Sequence, residues 1–337
     1  MSNQPLPWEN PDWSAAAREW IVSKLAAGGL QLTGEIDQPY IRPWSTVMRV
    51  PTNKGVFFFK ATAPYLSHEP ALTEYLARFR PELFPELLAV DKQRGWMLMG
   101  DAGTPLRQFV RSEKSFARWT DIMPLYVQLQ KDLMPYVGDL LALGILDRRL
   151  ERLPELFEDL VADEDAMLIG QEESLTIEEY EHLKAYALEF KQMCAQLASL
   201  GIPETIHHDD FHDANVFLSD GRAVFTDWAE SAVTHPFFSL VVLLRGAGNS
   251  LEAFSDVPME AGPNTPEIAW LRDLYLRHWT SYASLKELQA MVGIAERLGY
   301  VNRALTWHLV ISNLPDKLKP EYAVIVPIYL KEFINWA

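Results

Sequence analysis

Apolar residues recur with helical spacing from the start of the chain. Trp13, Ala17, Trp20, Ile21 and Leu25 fall on one face of residues 13–27, with Asp12 placed to cap the segment and Gly28-Gly29 to stop it. From about residue 31 the period shortens. Stretches 32–36, 46–50 and 56–60 read as short strands, and Asn53-Lys54-Gly55 as the turn joining the last two. Helical spacing returns at 69–79 through Leu72, Tyr75, Leu76 and Phe79. Strands at 87–91 and 96–99 then flank a Lys92-Gln93-Arg94-Gly95 turn. This pattern predicts a sheet-bearing unit over 1–100, with a hinge at about 99–104.

Beyond Gly100-Asp101-Ala102-Gly103 the pattern is mainly helical. Over 177–199, Tyr180, Leu183, Ala187, Phe190, Cys194 and Leu197 step by threes and fours, and Thr176 with Glu179 forms a capping box. Cys194 lies on that stripe and reads as core. A helix over 285–298 starts at Ser284 and Glu287 and is expected to end at Gly299; others are expected at 267–282 and 301–313. The least structured stretch is 251–266. Set into this helical part are a strand at 205–207, a polar loop at 208–214, and two strands, 215–218 and 223–226, joined by Ser219-Asp220-Gly221-Arg222, a hairpin signal. No internal repeat or low-complexity run is present. The reading is an α+β chain, with an antiparallel sheet and one main helix over 1–100 and a mostly helical part over 101–337.

Composition narrows the partners. The chain has 337 residues, 48% hydrophobic and 12% aromatic, enough for well-packed cores. Its net charge of −16 argues against nucleic acid or an anionic membrane as partner. One cysteine permits no internal disulfide. Neither a basic-then-apolar leader nor an 18-residue apolar run is found, so the cytoplasm is the expected location. Oligomeric state is not legible.

Chemistry concentrates in residues 206–227. An acid (Asp210) after a strand, an amide (Asn215) five residues on and a second acid (Asp227) after a hairpin place three oxygen-bearing groups where they can converge. The hairpin should make Asn215 and Asp227 neighbours beside the Asp210 loop. The His- and Asp-dense run 207–213 also suits a metallohydrolase, but that leaves Lys60 and the hairpin unexplained. A catalytically silent nucleotide-binding module is a further alternative, against which stands the cost of holding several charged groups together.

His208-Asp209-Asp210-Phe211-His212-Asp213-Ala214-Asn215, followed by Thr226-Asp227-Trp228, resembles the catalytic loop of the aminoglycoside phosphotransferase family, the small-molecule branch of the protein-kinase-like fold. That family usually shows His-Gly-Asp-Leu-His-x-x-Asn and then Ile-Asp-Trp. The resemblance implies a two-lobed fold that moves the γ-phosphoryl group of ATP or GTP to a hydroxyl of a small molecule with Mg2+. It implies Asp210 as catalytic base, Asn215 and Asp227 as metal ligands, His208 as a brace for the loop, and His212 near the transferred phosphate. Val56-Phe57-Phe58-Phe59-Lys60 resembles the strand whose lysine binds phosphates. Glu69 is then its partner in preference to Glu74, and Met99, Gly100 and Asp101 meet the adenine.

Three departures stand out. The phosphate-covering stretch 40–46 has no glycine, so Ser45 and nearby amides are expected to serve. Asp209 stands where the family has a small residue, and Ser239 where it has a second acid, so that a hydroxyl replaces a carboxylate. The acceptor is not selected. Acids at 155–181 suit either a cationic acceptor or a solvated face, and Trp270, Tyr275, Trp279, Trp307 and His308 suit either a pocket or core.

Overall fold

A computed structural model describes residues 6–255, 261–262 and 264–335. The chain divides into two compact units. The first comprises Met1–Thr104, Phe217–Ala229 and Val310–Pro320, and the second Pro105–Val216, Glu230–Leu309 and Glu321–Ala337.

The first unit is built on a five-stranded antiparallel sheet. Helix α1 (Pro11–Ala27) is followed by β1 (Asp37–Ile41), β2 (Ser45–Thr52), β3 (Gly55–Thr62), α2 (Glu69–Phe79), β4 (Leu87–Asp91) and β5 (Trp96–Gly100), in sheet order β1-β2-β3-β5-β4. Asn10 caps α1, not Asp12: its side chain accepts the Asp12 N–H at 2.9 Å. The first strand lies at 37–41, not 32–36, where Leu32 makes only an isolated bridge to Thr52. Asp-Gln-Pro-Tyr-Ile is a poor strand by composition, but β1 is an edge strand, where a proline lacking its N–H is tolerated. Side chains alternate along β3, so Phe57, Phe59 and Ala61 share one face. With Trp20, Ile21 and Leu25 of α1, and with Met48, Val50, Trp96 and Leu98, they form a core. Trp13, Trp20, Phe59 and Trp96 meet edge to face there, with centroids 5.5–6.2 Å apart. The same alternation places Lys60 on the opposite face.

The second unit is mainly helical around a small sheet ordered Leu146–Asp147, Ala232–Thr234, Thr205–His207. Residues 285–312 form one 28-residue helix, Leu285–Ser312, running straight through Gly299. Gly299 does not end the helix. A Cβ there would lie 2.5 Å from Val241 Cγ2 in the apolar helix Ser239–Phe254, so the glycine answers a packing neighbour. Conversely, the helix expected over 177–199 is two, Ile177–Ala185 and Ala187–Ala198. They break at Tyr186, whose ring packs on Phe333 with Arg297 above it. The Thr176–Glu179 capping box is present with both bonds, at 2.8 and 3.1 Å. The helix expected over 267–282 ends at Arg277. Of the stretch 251–266, residues 256–260 and 263 lie outside the described residues; helix persists through Phe254. Pro236–Phe254 is long and apolar enough to cross a membrane, yet 72% of its apolar window is buried inside the fold, as in a core helix.

His235 caps the turn that begins this helix. Its Nδ1 accepts the Phe237 N–H at 3.3 Å, and its ring is fully buried. A proton must enter at a nitrogen already accepting, and burial pushes the imidazole down to about 3 from its ordinary 6.5. A folded-state value below the unfolded one means this stability is complete above pH 6.5 and drains as pH falls toward 3. Urea unfolding should therefore show wild type losing up to about 1.4 kcal/mol per pH unit more than His235→Asn, which keeps an acceptor at the cap. Parallel stability profiles from pH 7 to 4 would contradict this assignment.

Candidate active site

In the first unit, Lys60, Glu69 and Asp227 form one ion cluster. Lys60 Nζ donates to Glu69 Oε1 at 2.7 Å and to Asp227 Oδ1 at 2.5 Å. Glu69 opens α2, where the helix N-terminus favours an acid, and it is fully buried. Its Oε1 also accepts the Trp228 N–H at 3.0 Å, fixing the chain beside Asp227. Burial disfavours the ammonium, but Asp227 and Glu69 outweigh it and hold Lys60 well above the usual lysine range. Burial pushes Glu69 up, with Lys60 opposing. Glu74, the poorer candidate, is spent on Arg78 and Lys92, each at 2.8 Å.

Asp227 sits at φ +65° on the chain leaving the hairpin Val216–Ser219/Arg222–Phe225. The turn residues Asp220 and Gly221, at φ +50° and +79°, supply the twist a two-residue connection needs. Its side chain is 46% exposed, while Lys60 is buried. One ammonium facing two carboxylates leaves a surplus negative charge that a hard divalent cation would offset.

The other candidates in this unit are placed less pointedly. Ser45 is buried at the start of β2, and its carbonyl accepts the Arg42 N–H at 2.8 Å, closing the glycine-free turn. Tyr40, at the start of the stretch expected to cover the phosphates, lies in the field of this cluster: burial first, then Asp227, raises its phenol. Met99 and Gly100 end β5, with Gly100 N–H donating to Glu86 O at 2.8 Å. Asp101 accepts the Gly103 N–H at 2.8 Å, a turn that needs glycine at 103, where a Cβ would fall 2.3 Å from Leu218 O.

In the second unit the strand Thr205–His207 delivers the loop 208–215. Asp210 accepts both of its closest bonds from one amide: Asn215 Nδ2 donates to its Oδ2 and to its carbonyl, each at 2.9 Å. His212 Nδ1 accepts the Ala214 N–H at 3.0 Å and lies 3.2 Å from Arg107 Nη2, so the ring proton belongs on Nε2, which points at Asp210 Oδ2 from 3.4 Å. Burial disfavours the Asp210 carboxylate, but His212 and Arg303 prevail and hold it well below the usual range. His208 is buried, and its Nδ1 accepts the Asp210 N–H at 3.3 Å.

Residues that sequence reasoning missed complete this loop. Arg107 donates to Asp213 Oδ1 at 2.8 Å, and Ser250 to Asp213 Oδ2 at 2.7 Å. Tyr126 stacks on Phe211 with ring centroids 3.7 Å apart, and its hydroxyl lies 2.9 Å from Ser239 Oγ. Ser239 is buried. It bonds to Tyr126, to His207 Nδ1 at 3.0 Å and to Gln130 at 3.3 Å. None of these partners is near in sequence, so no local pattern signals them.

Among the described residues, no three His, Cys, Asp or Glu side chains converge as a metal site. In the run 207–213, His207 is spent on Asp209 and Asp213 on Arg107. The acceptor candidates divide. Tyr275 and Trp279 are fully buried core, the Tyr275 hydroxyl donating to Gln130 Oε1 at 2.9 Å. Trp307 stacks on Tyr322, and Trp270 is partly exposed. His308 pairs with Asp163 at 2.8 Å and holds that carboxyl below its usual range, so this acid of the 155–181 group has a partner within the fold.

An antiparallel five-stranded unit with a buried Lys–Glu pair, and a helical unit with an Asp-x4-Asn loop, define the protein-kinase-like fold. The model of the phosphotransferase enzyme family, APH, matches residues 59–288, and the chain belongs to this family. Similar solved structures include an aminoglycoside 2′-phosphotransferase-IIIa in its GDP complex, at TM-score 0.61 and 10% identity over 94% of this chain and 99% of that one. An ethanolamine kinase from Plasmodium vivax aligns at TM-score 0.59 and 11% identity over 95% and 89% of the two chains. A choline kinase from Streptococcus pneumoniae aligns at 0.56 and 13% over 94% and 98%. No curated protein matches the chain.

Proposed function

We propose that this protein is a small-molecule kinase that transfers the γ-phosphoryl group of ATP or GTP to an acceptor hydroxyl in a Mg2+-dependent reaction. The observation that carries the reading is the cluster of buried Lys60 and Glu69 with half-exposed Asp227, its ammonium fixed and its negative charge in surplus. Lys60 neutralises the nonreacting phosphates, and Glu69 keeps it charged and in place. Asn215 and Asp227 are the residues that would hold Mg2+, which when bound neutralises charge developing on the phosphates. Asp210, held as the anion, orients the acceptor hydroxyl and takes its proton as the bond to phosphorus forms. Met99 to Asp101 supply backbone for the base, and Ser45 and its neighbouring amides cover the phosphates.

The solved structures of similar fold carry the names of ethanolamine, choline and aminoglycoside kinases, so the acceptor is proposed only as a small hydroxyl compound. The test is ADP release from Mg·ATP or Mg·GTP across amino alcohols, aminoglycosides, macrolides, homoserine and fructosamine-type adducts. The expected result is ADP release that depends on one acceptor class and on Mg2+. Tight nucleotide binding with no acceptor-dependent release across the panel would favour a silent binding module instead.

A further inference from the structure

The loop that carries Asp210 also carries a buried acid beside it. Asp209 is 1% exposed and adopts φ +61°, a backbone conformation disfavoured for any residue with a side chain. Its Oδ1 accepts Asn302 Nδ2 at 2.8 Å and lies 2.9 Å from His207 Nε2. Its Oδ2 accepts the Thr306 hydroxyl at 2.6 Å and lies 3.3 Å from Arg303 Nη1. Asn302, Arg303 and Thr306 are neighbours on one face of the helix Leu285–Ser312. The acid that anchors this loop is therefore on the loop itself, and its cation is on the long helix; Ser239 beneath contributes no charge.

Arg303 does more than neutralise Asp209. Its Nη1 donates to the Asp209 carbonyl at 2.7 Å and to Glu230 Oε2 at 2.5 Å, and its Nη2 lies 4.0 Å from Asp210 Oδ1. One planar fork thus spans a main-chain oxygen, a second acid and the neighbourhood of the Asp210 carboxylate. A lysine, with a single nitrogen, cannot span these three points. We propose that Arg303 is a positioning residue that fixes the main chain at 209 and so aims the Asp210 carboxylate; this rests on the reading of Asp210 as the base.

Groups facing the guanidinium are Asp209, Asp210 and Glu230, with the Tyr329 ring centroid at 5.8 Å; Arg148 lies in the field of Asp209. Burial opposes the Asp209 carboxylate, yet Arg303 and His207 bring it down to about 2. Burial lifts Glu230 to about 7 against the pull of Arg303.

Arg303→Lys tests the proposal through amide hydrogen exchange and through kcat and KM for Mg·ATP. Arg303→Lys should speed exchange in 207–215 by about tenfold or more while 177–199 stays unchanged. It should lower kcat by about 10²-fold, as misplacement of a reacting group does, with KM for Mg·ATP unchanged. Wild-type exchange and kcat in a folded Arg303→Lys protein would overturn the proposal. So would faster exchange spread equally over 177–199, which marks general loss of stability. If wild type turns over no nucleotide with any acceptor, the kinase reading falls, and the exchange comparison alone decides whether Arg303 holds the loop.

Discussion

Asp210→Asn should lower kcat by about 10²–10⁴-fold, the range a positioned general base contributes, with Mg·ATP still bound. The substitution is nearly isosteric, so the loop keeps its shape while its acceptor-only carboxylate becomes an amide. Asn215 donates two bonds to residue 210, one to the backbone carbonyl, and that one survives the change. What disappears is the anion that His212 and Arg303 hold ionised against burial. The pH dependence has a definite sign. A carboxyl depressed in the folded enzyme stays ionised above its ordinary range, so the base is lost only as pH falls below that range. Single-turnover kinetics with a confirmed acceptor measure the effect. A variant with turnover close to wild type would remove Asp210 from the role, whatever its geometry.

The two clusters of candidate residues were not equally legible in the sequence. Lys60 could be singled out because Val56-Phe57-Phe58-Phe59-Lys60 is a compact local pattern resembling a lysine-bearing strand, although three consecutive phenylalanines and burial from Phe59 to Thr62 hide which face it takes. The hairpin before Asp227 was legible because Asp-Gly is chemically suited to the two positive-φ positions it occupies. Local chemistry wrote both features. The support beneath Asp210 was not legible, because Asn302, Arg303 and Thr306 lie about ninety residues away and look like an ordinary polar helix face. For the same reason Gly299 misled. A glycine read locally is a stop signal, whereas here it admits Val241, and only the packed helices reveal that. The edge strand β1 escaped because an edge imposes few demands on composition, and the bonds of Ser239 escaped because its partners lie on two elements distant in sequence, the helix Trp119–Leu133 and the strand Thr205–His207.

Lys60→Met should be costly to the fold as well as to function. It leaves Glu69 fully buried with no cation, and removing one partner of a buried pair costs about 3–5 kcal/mol. Without Lys60, burial and Asp227 raise the Glu69 carboxyl and the Trp228 N–H bond is what remains to oppose them. A carboxyl raised in the folded state contributes its stability below the unfolded value and loses it as pH rises through the folded one. The variant should therefore lie nearest to wild type at about pH 5 and fall away toward pH 8. In the wild type the raised lysine behaves in the opposite range, keeping its stability through neutral pH and losing it only in strong alkali. Adding Glu69→Gln removes the orphaned charge and still offers an oxygen to the Trp228 N–H, so the double variant should regain most of the lost stability. It should not regain nucleotide affinity, because the ammonium proposed to meet the phosphates is still missing. Chemical denaturation at pH 5 and 8, paired with calorimetry of Mg·ATP binding, separates these consequences. A double variant as unstable as the single one would refute the buried-charge account. Undiminished nucleotide affinity in either variant would take Lys60 out of the phosphate site.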